Sequence, residues 1–400
     1  MKSLNIGLLR EGKVPPDRRV VFSPKQCADI LHKYPEVSIF IQSSQNRCFS
    51  DSEYTNFGVT VREDLSMCHI IMGIKEVPID MLIDNKIFFF FSHTIKKQPY
   101  NKLLLQSILR KNIQLVDYET LTNSKNQRLI GFGRYAGIVG CYNTFLAYGK
   151  KTKKYELEFP QLLINKFQLD KELFKVSLPK NFKIILTGSG RVAKGAVEVL
   201  NLLGIKKVNK NDFLNLKFKE PVYIQLNSFD CVKKNDGSLG SKDDFYNNPS
   251  SYMSRLTDYT AIADMLITGH YFAPNNPFLL TKNDISNSKF NVKVVGDISC
   301  DIDGPIACTI RPSTIESPFY GYNPYTGFED DYSKDKNIVV MAVDNLPCSL
   351  PRDASIHFGE VFIDKILPDL LSEKNIINRA TITLNGKLTN RFSYLFDYVK

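Results

Sequence analysis

The stretch "NKIFFFFSHTIKKQ", residues 85–98, limits the possible folds more than any other part of the chain. Four consecutive phenylalanines, Phe88 to Phe91, leave the strand they form no polar face. A strand that is apolar at every position is covered on both sides, as in a parallel sheet flanked by helices, whereas a sheet with one wet face would alternate. The run is followed at once by Ser92, His93, Lys96 and Gln98, which places ionisable and amide groups at the carboxyl end of a buried strand. In open α/β sheets ligands bind at that end.

The same pattern continues on either side. "LNIGLL", "VSIFIQ", "HIIMGIK" and "IQLVDYE" read as strands, while "SPKQCADILHKY", opened by a Ser-Pro start signal, and "NKLLLQSILRKN" read as helices. "RCFSDSEYTNFG" is a polar stretch between elements. "YAGIVGCYNTFLAYGKK" has small and apolar residues at helical spacing and is expected to be a long helix bridging two domains. A second α/β unit opens with "NFKIILTGSGRVAKGAVEVLNLLGIKKVN", whose helix carries Val192, Val197, Leu200 and Leu203, and continues through "PVYIQLN" and "KVVGDIS". Beyond it, "DASIHFGEVFIDKILPDLL" is an amphipathic helix with an Asp start signal, expected to pack back on the first unit. At 400 residues the chain exceeds one ordinary core. The expected class is α/β: two Rossmann-like doubly wound parallel-sheet domains with an interdomain cleft. Residues 1–133 with 353–400 form a discontinuous substrate and catalytic domain, and residues 134–352 a dinucleotide-binding domain.

Composition removes several functional classes. With 43% hydrophobic and 24% charged residues the chain is neither disordered nor fibrous. Its formal charge of +10 is scattered, densest in "GKKTKKYE", with no basic stripe interleaved with aromatics, so no nucleic-acid partner is expected and an anionic small-molecule substrate fits as well. None of the eight cysteines forms a CxxC pair or stands near a histidine at ligand spacing, so neither a metal site nor a disulfide scaffold is expected. The opening residues lack the apolar core of a signal peptide and the apolar runs are too short to span a bilayer. The expected location is cytoplasmic, away from membranes.

Gly188, Gly190 and Ala193 give GxGxxA after a strand and at the mouth of a helix, the context in which this spacing signals dinucleotide binding. Gly188 permits the tight turn, Gly190 a close approach of backbone to pyrophosphate, and Ala193 close packing of helix on strand. With Ser189, Arg191 and Val192 the segment offers backbone amides and the positive end of a helix dipole. The acidic residue expected some twenty positions on, at the ribose 2′-hydroxyl, is missing. Asn209 and Lys210 stand at that strand end, with Asp212 two positions later, and a lysine there would face a 2′-phosphate. The cofactor is therefore NAD or NADP, tilted toward NADP.

Other strand ends carry Arg18 and Arg19, Lys75 and Glu76, and His93 with Lys96. Lys75 and His93, ending neighbouring apolar strands, would converge at one crevice. Together with "RCFSDSEY", "GIKEVP", "FFSHTIKKQ", "IGFGRYAG", "LTGSGRVAKGA", "GDISCDIDG", "STIESPFYGYNP" and "AVDNLPCSLPRDAS", this arrangement resembles the saccharopine dehydrogenase and lysine-ketoglutarate reductase branch of the alanine dehydrogenase/transhydrogenase superfamily. The resemblance runs in order from about residue 7 to 362. It implies reversible oxidative deamination of saccharopine to L-lysine and 2-oxoglutarate with a nicotinamide cofactor. It also implies Lys75 and His93 as the acid/base pair, Arg19 as the carboxylate-binding arginine, and Asp297 and Asp301 as an acidic pair near the nicotinamide; Lys96 and Gln98, beyond the same strand end as His93, and Arg134 and Tyr135, at the domain junction, are expected as further substrate contacts. An alanine dehydrogenase-like enzyme, which keeps an arginine, a lysine and a histidine at these places, is the alternative, followed by a non-catalytic nucleotide-binding protein of the same fold.

Overall fold

The computed structural model describes residues 3–14, 17–273, 275–372 and 375–400. They divide into two compact units, one of residues 1–132 with 351–400 and the other of residues 133–350.

Unit 1 begins with strands β1 (Leu4–Leu8), β2 (Val37–Gln42), β3 (Thr60–Arg62), β4 (Ile70–Met72), β5 (Ile87–Phe90) and β6 (Gln114–Asp117), all paired in parallel. Helix α1 (Pro24–Lys33) starts on a capping box between Ser23 and Gln26 with proline at its first position. The polar stretch after β2 contains a short helix, α2 (Asp51–Asn56), that the reading of the sequence passed over. Its signal is present as a second capping box, Ser50 with Glu53. Helix α3 (Lys102–Arg110) buries Leu104, Leu105 and Ile108.

Phe88, Phe89 and Phe90 are fully buried. The faces alternate as a strand requires: Phe89 joins the core containing Phe22, Tyr118 and Phe362, while Phe88 and Phe90 join the one containing Leu105, Ile108 and Leu395. Burying one such ring stabilises by roughly 1.5–3 kcal/mol, so the run anchors the sheet from both sides.

In unit 2, helix α4 (Gly133–Thr152) is buried along most of its length and packs inside this unit. Helix α5 (Lys166–Leu173) follows, then strand β7 (Lys183–Thr187) and helix α6 (Arg191–Leu202). The buried face of α6 is Ala193, Gly195, Ala196, Val199 and Leu200; Val192 and Val197 are only partly covered, contrary to the expected stripe. The reason is a backbone-close contact with α4. A Cβ on Gly195 would stand 2.0 Å from the Arg134 carbonyl oxygen, and one on Gly137 1.9 Å from that of Val192. The remaining strands of this unit are β8 (Lys206–Lys207), β9 (Val222–Leu226), the hairpin β10 (Val232–Lys234) and β11 (Tyr252–Ser254), β12 (Met265–Thr268), β13 (Val294–Asp297), β14 (Phe319–Tyr322), β15 (Glu329–Asp330) and β16 (Ile338–Met341). Helix α7 (Lys210–Asn215) follows β8, and three further short helices, α8 (Lys242–Asn247), α9 (Thr257–Thr260) and α10 (Lys282–Ser286), join the later strands. The sheet order is β15-β14-β16-β13-β12-β7-β9-β8.

Helix α11 (Pro351–Lys365) returns the chain to unit 1, beginning two residues before Asp353, which lies in its first turn. Ala354, Ser355, Phe358, Gly359 and Phe362 are its buried face, and the Ser355 hydroxyl accepts from the Val20 amide at 2.9 Å. Strands β17 (Thr381–Leu384) and β18 (Lys387–Leu388) complete the order β18-β17-β6-β5-β4-β1-β2-β3. Both sheets depart from the all-parallel expectation at one edge: β17 runs antiparallel to β6, and β14 antiparallel to β16. Edge strands of a doubly wound sheet tolerate this.

Candidate active site

The order of unit 1 reverses between β1 and β4, so a crevice opens at the carboxyl ends of these strands. From the β1 side comes Glu11. Its carboxylate accepts from the Ile74 amide at 2.6 Å and the Lys75 amide at 2.9 Å, pinning the turn after β4. Burial, with the Asp17 carboxylate nearby, pushes the Glu11 carboxyl up to about 8 against the pull of the two amides and Arg19. Burial, reinforced by the Arg19 and Lys13 charges, holds Lys75 below the usual lysine value.

His93 follows β5, which is paired with β4. It stands in the left-handed region at φ 51°, costly for most side chains and tolerated best by short polar or imidazole ones. The turn is held from β6: the Asp117 carboxylate accepts from the Ser92 amide at 2.9 Å and its hydroxyl at 2.5 Å. Phe91 lies nearly parallel to the imidazole, 6.4 Å between ring centroids. The Nδ1 of His93 is 2.6 Å from Oε1 of Glu76. Burial works against ionisation of Glu76, yet the hydrogen bond and charge of His93 outweigh it and hold the carboxyl down to about 2. An ionised Glu76 only accepts, so Nδ1 is the donor and Nε2 is left to exchange protons when the ring is neutral. Lys13 Nζ is 3.2 Å from the other Glu76 oxygen.

Arg19 is buried, with its guanidinium paired to Asp17 at 2.5 Å and stacked over Phe132 at 4.1 Å. A substrate carboxylate at Arg19 would share this arginine with Asp17. Arg18 is exposed. Lys96 is half-exposed, 3.7 Å from Glu119, which also lies 3.5 Å from Arg128. The Gln98 side chain accepts from the Tyr100 hydroxyl. Arg134 belongs to unit 2, where its guanidinium grips Glu198 through bonds of 2.7 and 2.8 Å and lies over the ring of buried Tyr135.

Unit 2 has its own reversal, between β7 and β12. Gly188 there has φ 92°, and a Cβ on it would stand 2.3 Å from the Gly269 carbonyl oxygen, so only glycine fits. Gly190 has open space where a Cβ would stand and caps α6 without a side-chain bond, and Ala193 is fully buried. Ser189 and Arg191 are exposed beside it, with Val192 partly so. His270, just after β12, was passed over in the sequence. Its Nδ1 is 2.6 Å from the Thr187 hydroxyl, while its Nε2 is buried with no partner among the described residues. Burial holds it below the usual histidine value. An open glycine turn, uncapped helix amides and an orphaned ring nitrogen are what a pyrophosphate-bearing dinucleotide fits.

Asp297, at the end of β13, is wholly buried and takes the hydroxyls of Thr268 at 2.5 Å and Thr309 at 2.6 Å, tying three segments together. Asp301 is exposed in the following loop. Asn209 and Lys210 differ from their expected setting: β8 is the outermost strand, separated from β7 by β9, and Asn209 caps α7 by accepting from the Asp212 amide at 2.9 Å. Among the described residues, no group of three His, Cys, Asp or Glu side chains could hold a metal ion, and no helix is long and apolar enough to cross a membrane.

Residues 7–139 match the family "Alanine dehydrogenase/PNT, N-terminal domain". The chain is 29% identical over 440 residues to "Alpha-aminoadipic semialdehyde synthase, mitochondrial" of Mus musculus, covering 98% of this chain and 47% of the relative. It thus spans about half the length of that relative. It is 24% identical over 404 residues to a "Saccharopine dehydrogenase" (NAD(+), L-lysine-forming) of Emericella nidulans, covering 94% of this chain and 93% of the relative. A solved L-alanine dehydrogenase superposes with a TM-score of 0.63 at 15% identity, over 99% of this chain and 100% of the other, a likeness of fold. Over nearly its whole length the chain is thus similar to the saccharopine dehydrogenase and lysine-ketoglutarate reductase branch of the alanine dehydrogenase/transhydrogenase superfamily, the branch that its sequence motifs resemble.

Proposed function

We propose that the chain is a nicotinamide-dependent oxidoreductase interconverting saccharopine with L-lysine and 2-oxoglutarate. The observation that carries this reading is the crevice of unit 1, where Lys75 and the Glu76-tethered His93 stand at adjoining strand ends. In the reductive direction the ε-amine of lysine attacks the ketone, the adduct loses water to give an imine, and reduction at the imine carbon gives saccharopine. A bound nicotinamide supplies the hydride, or accepts it in reverse. The protein's part is proton transfer and orientation. The condensing amine must be neutral to attack, and the departing hydroxyl must be protonated. Lys75, its ammonium destabilised by burial and by Arg19 and Lys13, gives up its proton more readily than an exposed lysine. His93 exchanges protons through Nε2 while Glu76 fixes the ring. Arg19 takes a substrate carboxylate, with Lys96, Gln98, Arg134 and Tyr135 as further substrate contacts; Asp297 and Asp301 stand near the nicotinamide. Gly188 to Ala193 hold the pyrophosphate.

The test is absorbance at 340 nm with lysine and 2-oxoglutarate, using NADH and NADPH in turn. Oxidation of either cofactor is expected. No oxidation with that pair, combined with turnover of pyruvate and ammonia, would replace this reading by an alanine dehydrogenase-like one. No turnover with any pair would leave a nucleotide-binding protein.

A further inference from the structure

The sheet order of unit 2 reassigns the residue that reads the adenosine ribose. In a dinucleotide-binding unit the acidic group for the 2′-hydroxyl ends the strand beside the glycine-turn strand. In this chain that neighbour is β9, because β9 lies between β7 and β8. The two are joined at their ends: the Gly188 amide donates to the Leu226 carbonyl at 2.7 Å, and the Gln225 side chain to the Gly188 carbonyl at 3.0 Å. Strands are spaced about 4.8 Å apart, so the end of β8 stands roughly 10 Å from β7, beyond the place of a ribose. Beyond β9 the chain makes a turn of 3-10 helix, Ser228–Cys231, and Asp230 is its acidic residue.

We propose that Asp230, with Lys210 paired to it, is the element that chooses between a 2′-hydroxyl and a 2′-phosphate, and that it selects NADH over NADPH. This rests on the reading of unit 2 as a nicotinamide dinucleotide site. The Asp230 side chain is 14% exposed and Lys210 reaches across from the outer edge to pair with it, itself 52% exposed. The second carboxylate oxygen accepts from the Asn227 amide at 2.9 Å. A carboxylate offers about four acceptor positions and two are taken here, so two remain for ribose hydroxyls. A phosphate at the same place would confront a negative charge, and Lys210 beside it is already engaged by Asp230. Near it, Ser228 and Val232, which follow β9, and His270 and Phe272, which follow β12, line one small, mostly apolar hollow. The expectation drawn from Lys210 alone, a tilt toward NADP, is thereby reversed: the lysine is present, but its partner neutralises it.

Affinity is the readout, by calorimetry or by the fluorescence of bound reduced cofactor, on the full chain without substrate. The native protein is expected to bind NADH at least tenfold more tightly than NADPH. Asp230→Asn, which keeps an acceptor for the Asn227 amide, releases Lys210 and is expected to shift the preference toward NADPH by about tenfold. Lys210→Gln is expected to weaken NADPH further while leaving NADH within about threefold. A native preference for NADPH, or a ratio unmoved by Asp230→Asn, would overturn the proposal while leaving dinucleotide binding intact. Binding of neither cofactor would overturn the dinucleotide reading itself.

Discussion

At the reversal point of unit 1 the strand ends carry Glu11, Lys75, Glu76 and His93; at the reversal point of unit 2 they carry Gly188, Gly269 and His270. Both crevices come from the same topology, yet one is crowded with charges in contact and the other is made of backbone and small side chains. On the proposed function, the difference follows from what each must do. Groups that move protons need surroundings that displace their ionisation, as burial, then the Arg19 and Lys13 charges, do for Lys75. A crevice for a ligand that brings its own charge needs amides and clearance instead. The first should therefore fail in rate and the second in affinity.

The largest expected effect is that of Lys75→Met. Turnover should fall by about 10²–10⁴, the usual worth of a positioned acid/base group, while the dissociation constant for reduced cofactor stays within about twofold. Comparable losses in rate and affinity would erase the contrast between the units. Gly188→Ala probes the other side. The left-handed backbone and a Cβ 2.3 Å from the Gly269 oxygen should lower cofactor affinity by about tenfold or more and destabilise the protein by roughly 1–3 kcal/mol, measured by titration and thermal melting. An unchanged affinity would mean the turn does not approach the ligand.

Glu11→Gln gives a smaller effect with a definite sign. A carboxyl at about 8 in the folded chain against 4.5 as the ordinary value holds its proton more tightly folded than unfolded. Between pH of about 4.5 and 8 the native state binds more protons, so stability falls as pH rises through that window and is flat outside it. The melting temperature of the native protein minus that of Glu11→Gln should decline from pH 4.5 to 8; a rise across the window would show that Glu11 is ionised and held by its amides. Lys96→Ala should do least. A half-exposed lysine 3.7 Å from Glu119 contributes at most about 1 kcal/mol, so stability should barely move and the Michaelis constant for a carboxylate substrate should change less than about fivefold.

What the sequence reveals in these two regions depends on how far apart the cooperating residues lie. The phenylalanine strand and the GxGxxA turn are legible because each is a local pattern with one physical meaning. Glu11 is not, since it meets Ile74 across 63 residues and only the reversal beside β1 makes them neighbours. Asp230 escapes for the same reason, because the spacing rule assumes that the next strand in sequence is also the next in space. Glu76 was visible beside Lys75, but its bond to His93 depends on the left-handed turn that Asp117 holds from a third strand.

The split of unit 1 around residues 133–350 also sets a timetable. A ribosome delivers unit 2 as one uninterrupted segment that can close its own core as it emerges. Unit 1 must wait. Phe358 and Phe362 belong to the core that holds Phe89, Phe91 and Tyr118, and β17 covers the otherwise open edge of β6. Until the last fifty residues arrive, Phe91 and the turn bearing His93 lack part of their support, and the edge of β6 is available to other chains. Newborn protein would thus carry an assembled unit 2 before Lys75 and His93, the proposed proton-transfer groups, are set in place.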